Sequence, residues 1–123
     1  MENLFVQFSN WAIENGWDVI KKEDGKLELN EDINSRYPKI PLEYISFLSY
    51  FKQIISPSEK SWFLCEDDYN SKTDVAFSWN EFEMISLEAA KEDDEWSQEI
   101  ISWWNRYLPI VMSVHSGYSF YAI

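Results

Sequence analysis

Histidine and cysteine are almost absent from this chain of 123 residues, glycine is scarce, and cations are few. A single His115 and a single Cys65 fall short of the nitrogen and sulfur shell that zinc takes, and a lone cysteine has no internal disulfide partner. Cys65 follows an apolar run in "SWFLCEDD" and reads as a small strand residue. Any Ser-His-Asp or Cys-His relay would have to pass through His115. Its setting, "VHSGY", is turn chemistry, and no nucleophile motif accompanies it. The three glycines are scattered, so no phosphate-cradling loop is expected. No apolar run is long enough to cross a bilayer, and the opening "MENLFVQFSNWAIENG" lacks the basic start and cleavage site of a secretory signal. A cytoplasmic protein is expected.

What is present is acid and aromatic. Ten Lys and Arg face 22 Asp and Glu, a formal net charge of −12. That field repels nucleic-acid phosphates and anionic membranes, and it draws in basic protein partners. Solubility is the plainer use of the same charge. Aromatics at 18%, with seven tryptophans, separate the chain from disordered acidic sequences. Its length fits one domain, residues 1–123.

Leu4, Phe5, Phe8, Trp11 and Ala12 recur at helical spacing, which predicts an amphipathic helix stopping at Asn15-Gly16. "WDVI" and "KLELN" flank "KKEDG", where Asp24-Gly25 suits a tight reversal, so a short hairpin is expected. Pro41 opens a second helix bearing Tyr44, Ile45, Leu48 and Phe51, which is expected to run towards Ser56-Pro57. "SWFLC" and "VAFSW" read as strands of a hairpin around an acidic loop from Glu66 to Asp74. "NEFEMISLEAAKE" leans towards helix in its later part. A further helix follows "EDDE", with Trp96, Ile100, Trp103, Trp104 and Tyr107 as a core stripe ending at Leu108-Pro109, although the adjacent Trp103 and Trp104 point about 100° apart, which leaves one of them open to an interface or a dimer contact. "PIVMSV", "HSG" and "YSFYAI" read as strand, turn and strand. The sum is an α+β fold, an antiparallel sheet with helices around it. An uncovered apolar last strand invites aggregation, so it is expected to be covered or internal, or the natural protein to continue past Ile123.

Few constellations carry chemistry. "DDYNSKTD" spaces Asp68 and Asn70 as a calcium loop begins, but Lys72 and Thr73 then occupy positions that need a ligand and a glycine. No metal and no cofactor is expected. Carboxylates are abundant enough for an acid-base hydrolase, yet nothing singles out a pair. Two acidic clusters remain, Glu66-Asp67-Asp68 and Glu92-Asp93-Asp94-Glu95, the second followed by Trp96. Helix capping explains the position of the second but not its number of acids. Glu66, Asp67, Asp68, Asp93, Asp94, Glu95 and Trp96 are therefore the candidate partner contacts, with Trp96 as an aromatic anchor among charges.

"IPLEYISFL" resembles the Leu-Pro-x-x-Tyr-x-x-Phe-Leu signature of the SUKH superfamily, with Ile40 for the usual leucine and Pro41, Tyr44, Phe47 and Leu48 in register. "YLPIVMSVHSGYSFYAI" is similar to the family's later Pro-Ile strand, glycine turn and aromatic strand, with Pro109 and Gly117 at matching places. The resemblance implies an α+β domain whose closing elements lie beyond Ile123. Its bacterial members are largely immunity proteins that bind and neutralise a cognate toxin, with no enzyme activity. The family's contacts vary between members, so these six motif residues transfer as fold residues only. The expected function is thus a non-catalytic domain that neutralises a basic toxin. A regulatory scaffold like the fungal members in cell-wall glucan synthesis ranks second, and a small hydrolase third.

Overall fold

The opening segment folds as helix α1 (Glu2–Glu14), in a computed structural model that describes residues 2–73 and 77–123. It stops where expected, and the backbone shows why. Gly16 takes φ +83°, its N–H donates to Ile13 O at 3.1 Å, and the Trp17 N–H donates to Ala12 O at 2.9 Å. This left-handed closure satisfies the last carbonyls of the helix, and a residue with a Cβ adopts it only under strain. Phe5 and Ala12 are buried as the stripe requires, whereas Leu4 and Trp11 are exposed.

Strand β1 (Asp18–Lys21) follows, but its partner is not "KLELN". It pairs antiparallel with β2 (Phe51–Ile55), Asp18 opposite Ile55 and Val19 opposite Ile54. Residues 27–30 do not join the sheet, Leu29 being buried and Leu27 packed against the core. Their alternation is real, but the side chains of Glu66 and Asn70 take the place of a strand. Asn30 then caps α2 (Glu31–Arg36), its Oδ1 accepting from Ile33 N at 3.0 Å.

Helix α3 (Leu42–Tyr50) begins after Pro41, whose carbonyl accepts from the amides of Tyr44 and Ile45. It ends earlier than the sequence suggests, at Tyr50, and passes into β2 without a loop. Phe51 and Ile54 are three apart and both fully buried, the register against β1 skips Lys52, and pairing on both sides outweighs the continuing helical period. Strand β3 (Ser61–Phe63) pairs with β2 and with β4 (Pro109–Ser113), so the expected hairpin with "VAFSW" does not form. Asp74, Val75 and Ala76 lie outside the described residues, and Phe77 to Trp79 form no strand. The expected acidic loop contains a short helix, α4 (Glu66–Tyr69). Helices α5 (Glu81–Ala89) and α6 (Asp94–Arg106) pack on each other, and β4 turns through Gly117 into β5 (Ser119–Ala122).

Among the described residues the fold is therefore α+β, six helices and a five-stranded antiparallel sheet in the order β1-β2-β3-β4-β5. The register sorts side chains into two rows. Val19, Ile54, Phe63, Val111 and Tyr121 share one face, and Ile55, Trp62, Met112 and Phe120 the other. Helix α1 covers the first row only as far as Phe63, through Phe8 at 5.6 Å between ring centroids. Trp104 and Phe82 meet Phe120 on the second face, at 4.9 and 5.6 Å. Tyr44, Phe47, Leu48 and Pro109 of the motif lie in or against the core, while Pro41 and Gly117 are exposed. Leu48 is fully buried, Phe47 stacks on Tyr44, and the Tyr44 hydroxyl meets Tyr69 Oη at 2.7 Å while Tyr69 donates to the carbonyl of Pro109 at 2.6 Å. Among the described residues β5 is an edge strand and largely exposed, so of the alternatives expected for the last strand neither an internal place nor a cover is found.

Candidate partner-binding surface

The first acidic cluster is built by the turn from β3 into α4. Cys65 precedes the helix with an extended backbone, and its N–H donates to Asp68 Oδ2 at 2.8 Å, which satisfies one of the amides a helix start leaves free. Glu66 reaches the opposite way. Its Oε2 pairs with Lys22 Nζ at 2.8 Å and its Oε1 accepts from Glu28 N at 2.6 Å, while Asn70 exchanges two bonds of 2.8 Å with Asn30 N and Glu28 O. The side chains of Glu66 in α4 and of Asn70, which caps its C-terminus, thus serve as the edge to which residues 28–30 bind. Partial burial works against the Glu66 charge, but Lys22 and the Glu28 amide outweigh it and hold the carboxyl below its ordinary value. The Asp67 carboxylate has no hydrogen-bond or ion-pair partner among the described residues, while its carbonyl accepts from Lys72 N at 2.8 Å.

Asp68 is pushed up to about 6, first by burial and also by Asp67, against the pull of the Cys65 amide. The native state therefore holds a proton that the unfolded chain releases near pH 4, so this group's contribution falls as pH rises from about 4 to 6. Asp68→Asn keeps an acceptor for Cys65 and removes the ionisation. It is expected to raise stability at pH 7 by about 1 kcal/mol, the full value of about 2.7 kcal/mol for two units being reduced by contact with water. Urea unfolding at pH 4 and pH 7 checks this, the variant losing its advantage at pH 4.

Asp67 and Asp68 line a groove of roughly 550 Å³ with Gln53, Ile55, Trp62 and Lys72. The chemistry available there is thin. Asp68 is engaged by the Cys65 amide, and adjacent helical residues point about 100° apart. The Cys65 thiol is buried and pushed up by that burial and by Asp68 and Asp67, so it stays protonated and unreactive. His115 is exposed in its turn. Among the described residues no three His, Cys, Asp or Glu side chains converge as metal ligands, and no helix is long and apolar enough to cross a membrane.

The second cluster opens α6. Asp93 is its cap, Oδ1 accepting from Trp96 N at 2.9 Å, while Asp94 and Glu95 are exposed in the first turn without partners among the described residues. Trp96 is half exposed. No hydrogen bond or ion pair joins the two clusters among the described residues. The seven candidates thus divide. Glu66, Asp68 and Asp93 are held within the fold, and Asp67, Asp94, Glu95 and Trp96 are free to meet a partner.

A second aromatic surface was marked in the residue pattern by the adjacent Trp103 and Trp104, which do not decide which of the two is open. In α6 only Trp104 of the expected core stripe is buried; Trp103 and Tyr107 lie open beside it, their rings 4.7 Å apart, and Trp103 leans on Phe120 at 5.9 Å. Tyr118 and Tyr121 are exposed by 63% and 73%, so β5 carries uncovered aromatic rings on both faces of the sheet. A further sequence signal pointed this way, since "YSFYAI" is apolar at successive positions and an edge strand cannot cover both sides. No protein-family model matches this chain, and no curated protein or solved structure does either.

Proposed function

We propose that this chain is a non-catalytic protein-binding domain of the SUKH immunity type, which binds a basic toxin domain in the cytosol and neutralises it. The observation that carries the reading is an acidic surface, mostly without cation partners, interspersed with large exposed aromatics. Only three acids, Glu66, Glu83 and Glu88, form ion pairs among the described residues of a chain with net charge −12. Trp11, Trp96, Tyr107, Tyr118 and Tyr121 meanwhile stand open to solvent. Charge that steers, together with aromatic rings that anchor, is the composition of a binding face. The accessible area, 8061 Å², also exceeds the about 6,900 Å² usual for a monomer of 14.7 kDa. The hydrolase reading has one observation, the raised pKa of Asp68 beside a groove, and burial accounts for it.

The test is capture of partners by tagged protein from its own cells at low and moderate salt, followed by assay of the purified partner. One stoichiometric basic protein is expected, its toxicity abolished on binding and its association rate falling about tenfold or more as salt rises from 0.05 to 0.5 M. Several weak partners from wall synthesis or signalling would support the scaffold instead, and a salt-independent rate would remove the electrostatic part of the reading.

A further inference from the structure

The two edges of the sheet are unlike. β1 carries Asp18 and Lys21 and runs into Lys22-Glu23-Asp24, charges that discourage an added strand; a register irregularity occurs in both edge pairings, between Ile20 and Lys21 and between Pro109 and Val111. β5 carries no charge and no proline. Its inner side is fixed by a reciprocal pair, Leu108 N to Ile123 O at 2.7 Å and Ile123 N to Leu108 O at 2.9 Å. Antiparallel strands alternate, so Ser119 and Tyr121 also turn their amides inward, and Phe120 and Ala122 turn theirs to the open edge. A strand laid there would find Tyr121 on one face of the sheet, and Tyr118, Phe120, Trp103 and Tyr107 on the other.

The charge beside this edge selects the occupant. Glu95, Glu99, Trp103 and Tyr107 recur every four residues along α6, so they form one exposed stripe, acids first and then rings, arriving at Phe120. Arg106, the single cation of α6, already lies over the Tyr107 ring at 5.7 Å, which shows how a cation meets this surface. A second copy of the chain would bring another twelve negative charges to the same place. We propose that the free edge of β5 is the docking site for an extended, lysine- or arginine-bearing segment of the protein partner, which adds as a sixth antiparallel strand. Main-chain bonds to Phe120 and Ala122 hold it, and its cations lie over Trp103 and towards Glu99.

The inference rests on the partner-binding reading above, and it is tested on the complex with the captured toxin. Ala122→Pro removes an outward N–H that β4 does not use, a substitution an edge strand tolerates, and Tyr121→Lys adds an exposed charge that a cationic strand avoids. Each is expected to weaken binding about 10- to 100-fold while thermal unfolding of the free protein stays nearly unchanged. The amides of Phe120 and Ala122 gain hydrogen-exchange protection in the complex, and Lys21→Ala at the opposite edge leaves affinity unchanged. A partner bound equally well by both variants, with no protection at these amides, overturns the inference but leaves the binding reading standing. Absence of any partner removes the binding reading itself. A dimer of the free protein that Ala122→Pro dissolves would make a second copy the occupant and overturn the proposal.

Discussion

Replacing Arg36 by methionine is expected to lower the unfolding free energy by about 3–5 kcal/mol. Arg36 ends α2, and its guanidinium grips Glu83 of α5 through two parallel bonds, Nη1 to Oε1 at 2.8 Å and Nη2 to Oε2 at 2.6 Å. Its Nε donates to Asn105 Oδ1 of α6 at 2.8 Å, and the group lies over the rings of Tyr37 and Trp79. One side chain therefore joins three helices. Glu83 is only 3% exposed, so without the arginine its carboxylate is buried with no compensating charge. Urea denaturation measures the loss. The double variant Arg36→Met with Glu83→Leu is expected to recover most of it, because the cost lies in the orphaned charge. Should the double variant prove no more stable than the single one, the ion pair is not the source of the effect.

Tyr69→Phe is expected to cost about 2–3 kcal/mol, though it removes one oxygen. Tyr69 is almost fully buried, and its hydroxyl lies 2.6 Å from the Pro109 carbonyl and 2.7 Å from Tyr44 Oη, which in turn lies 2.9 Å from the Leu64 carbonyl. Two hydroxyl protons serve three short contacts, so the pair acts as a unit linking α3 and α4 to β4 and to Leu64, just past β3. Tyr44→Phe is expected to cost less, and the double variant less than the sum. The alkaline limb reports the same site. Burial raises Tyr44 and Tyr69 above the ordinary tyrosine value, and it pushes Tyr37 up to about 12 against the pull of Arg36. The native state then keeps protons that the unfolded chain loses near pH 10, so stability is flat through neutrality and falls as pH rises beyond about 10. Unfolding followed between pH 8 and 11 shows the fall, shallower in Tyr69→Phe. Additive losses from the two substitutions would mean that the hydroxyls act separately.

The candidate surface was half legible in the sequence. The acidic clusters are visible as runs, and the role of Asp93 follows from its place before a helix, which the bond to Trp96 N bears out. That Glu66 is consumed by Lys22 and Glu28 was not legible, because its partners lie about forty residues away and no local pattern records them. That Trp103 rather than Trp104 is the open one, and that Tyr107 joins it, escaped for a related reason. Helical period states which residues share a side, and says nothing of what lies opposite.

Local chemistry by itself determined where several elements begin and end: the stop at Gly16, the start after Pro41, the capped start of α6, and the strand-turn-strand from Pro109 to Ala122. Each depends on a φ preference, a cap or an alternation that a few neighbouring residues express. Tertiary structure alone decided that Asp18 pairs with Ile55 rather than with "KLELN", that the helix from Pro41 gives way to a strand at Phe51, and that β5 rather than β1 carries the open aromatic edge. The physical reason is common to all three. An extended segment with apolar alternation suits any complementary edge, and the partner it takes is set by the burial and pairing of the whole sheet, which no single stretch contains.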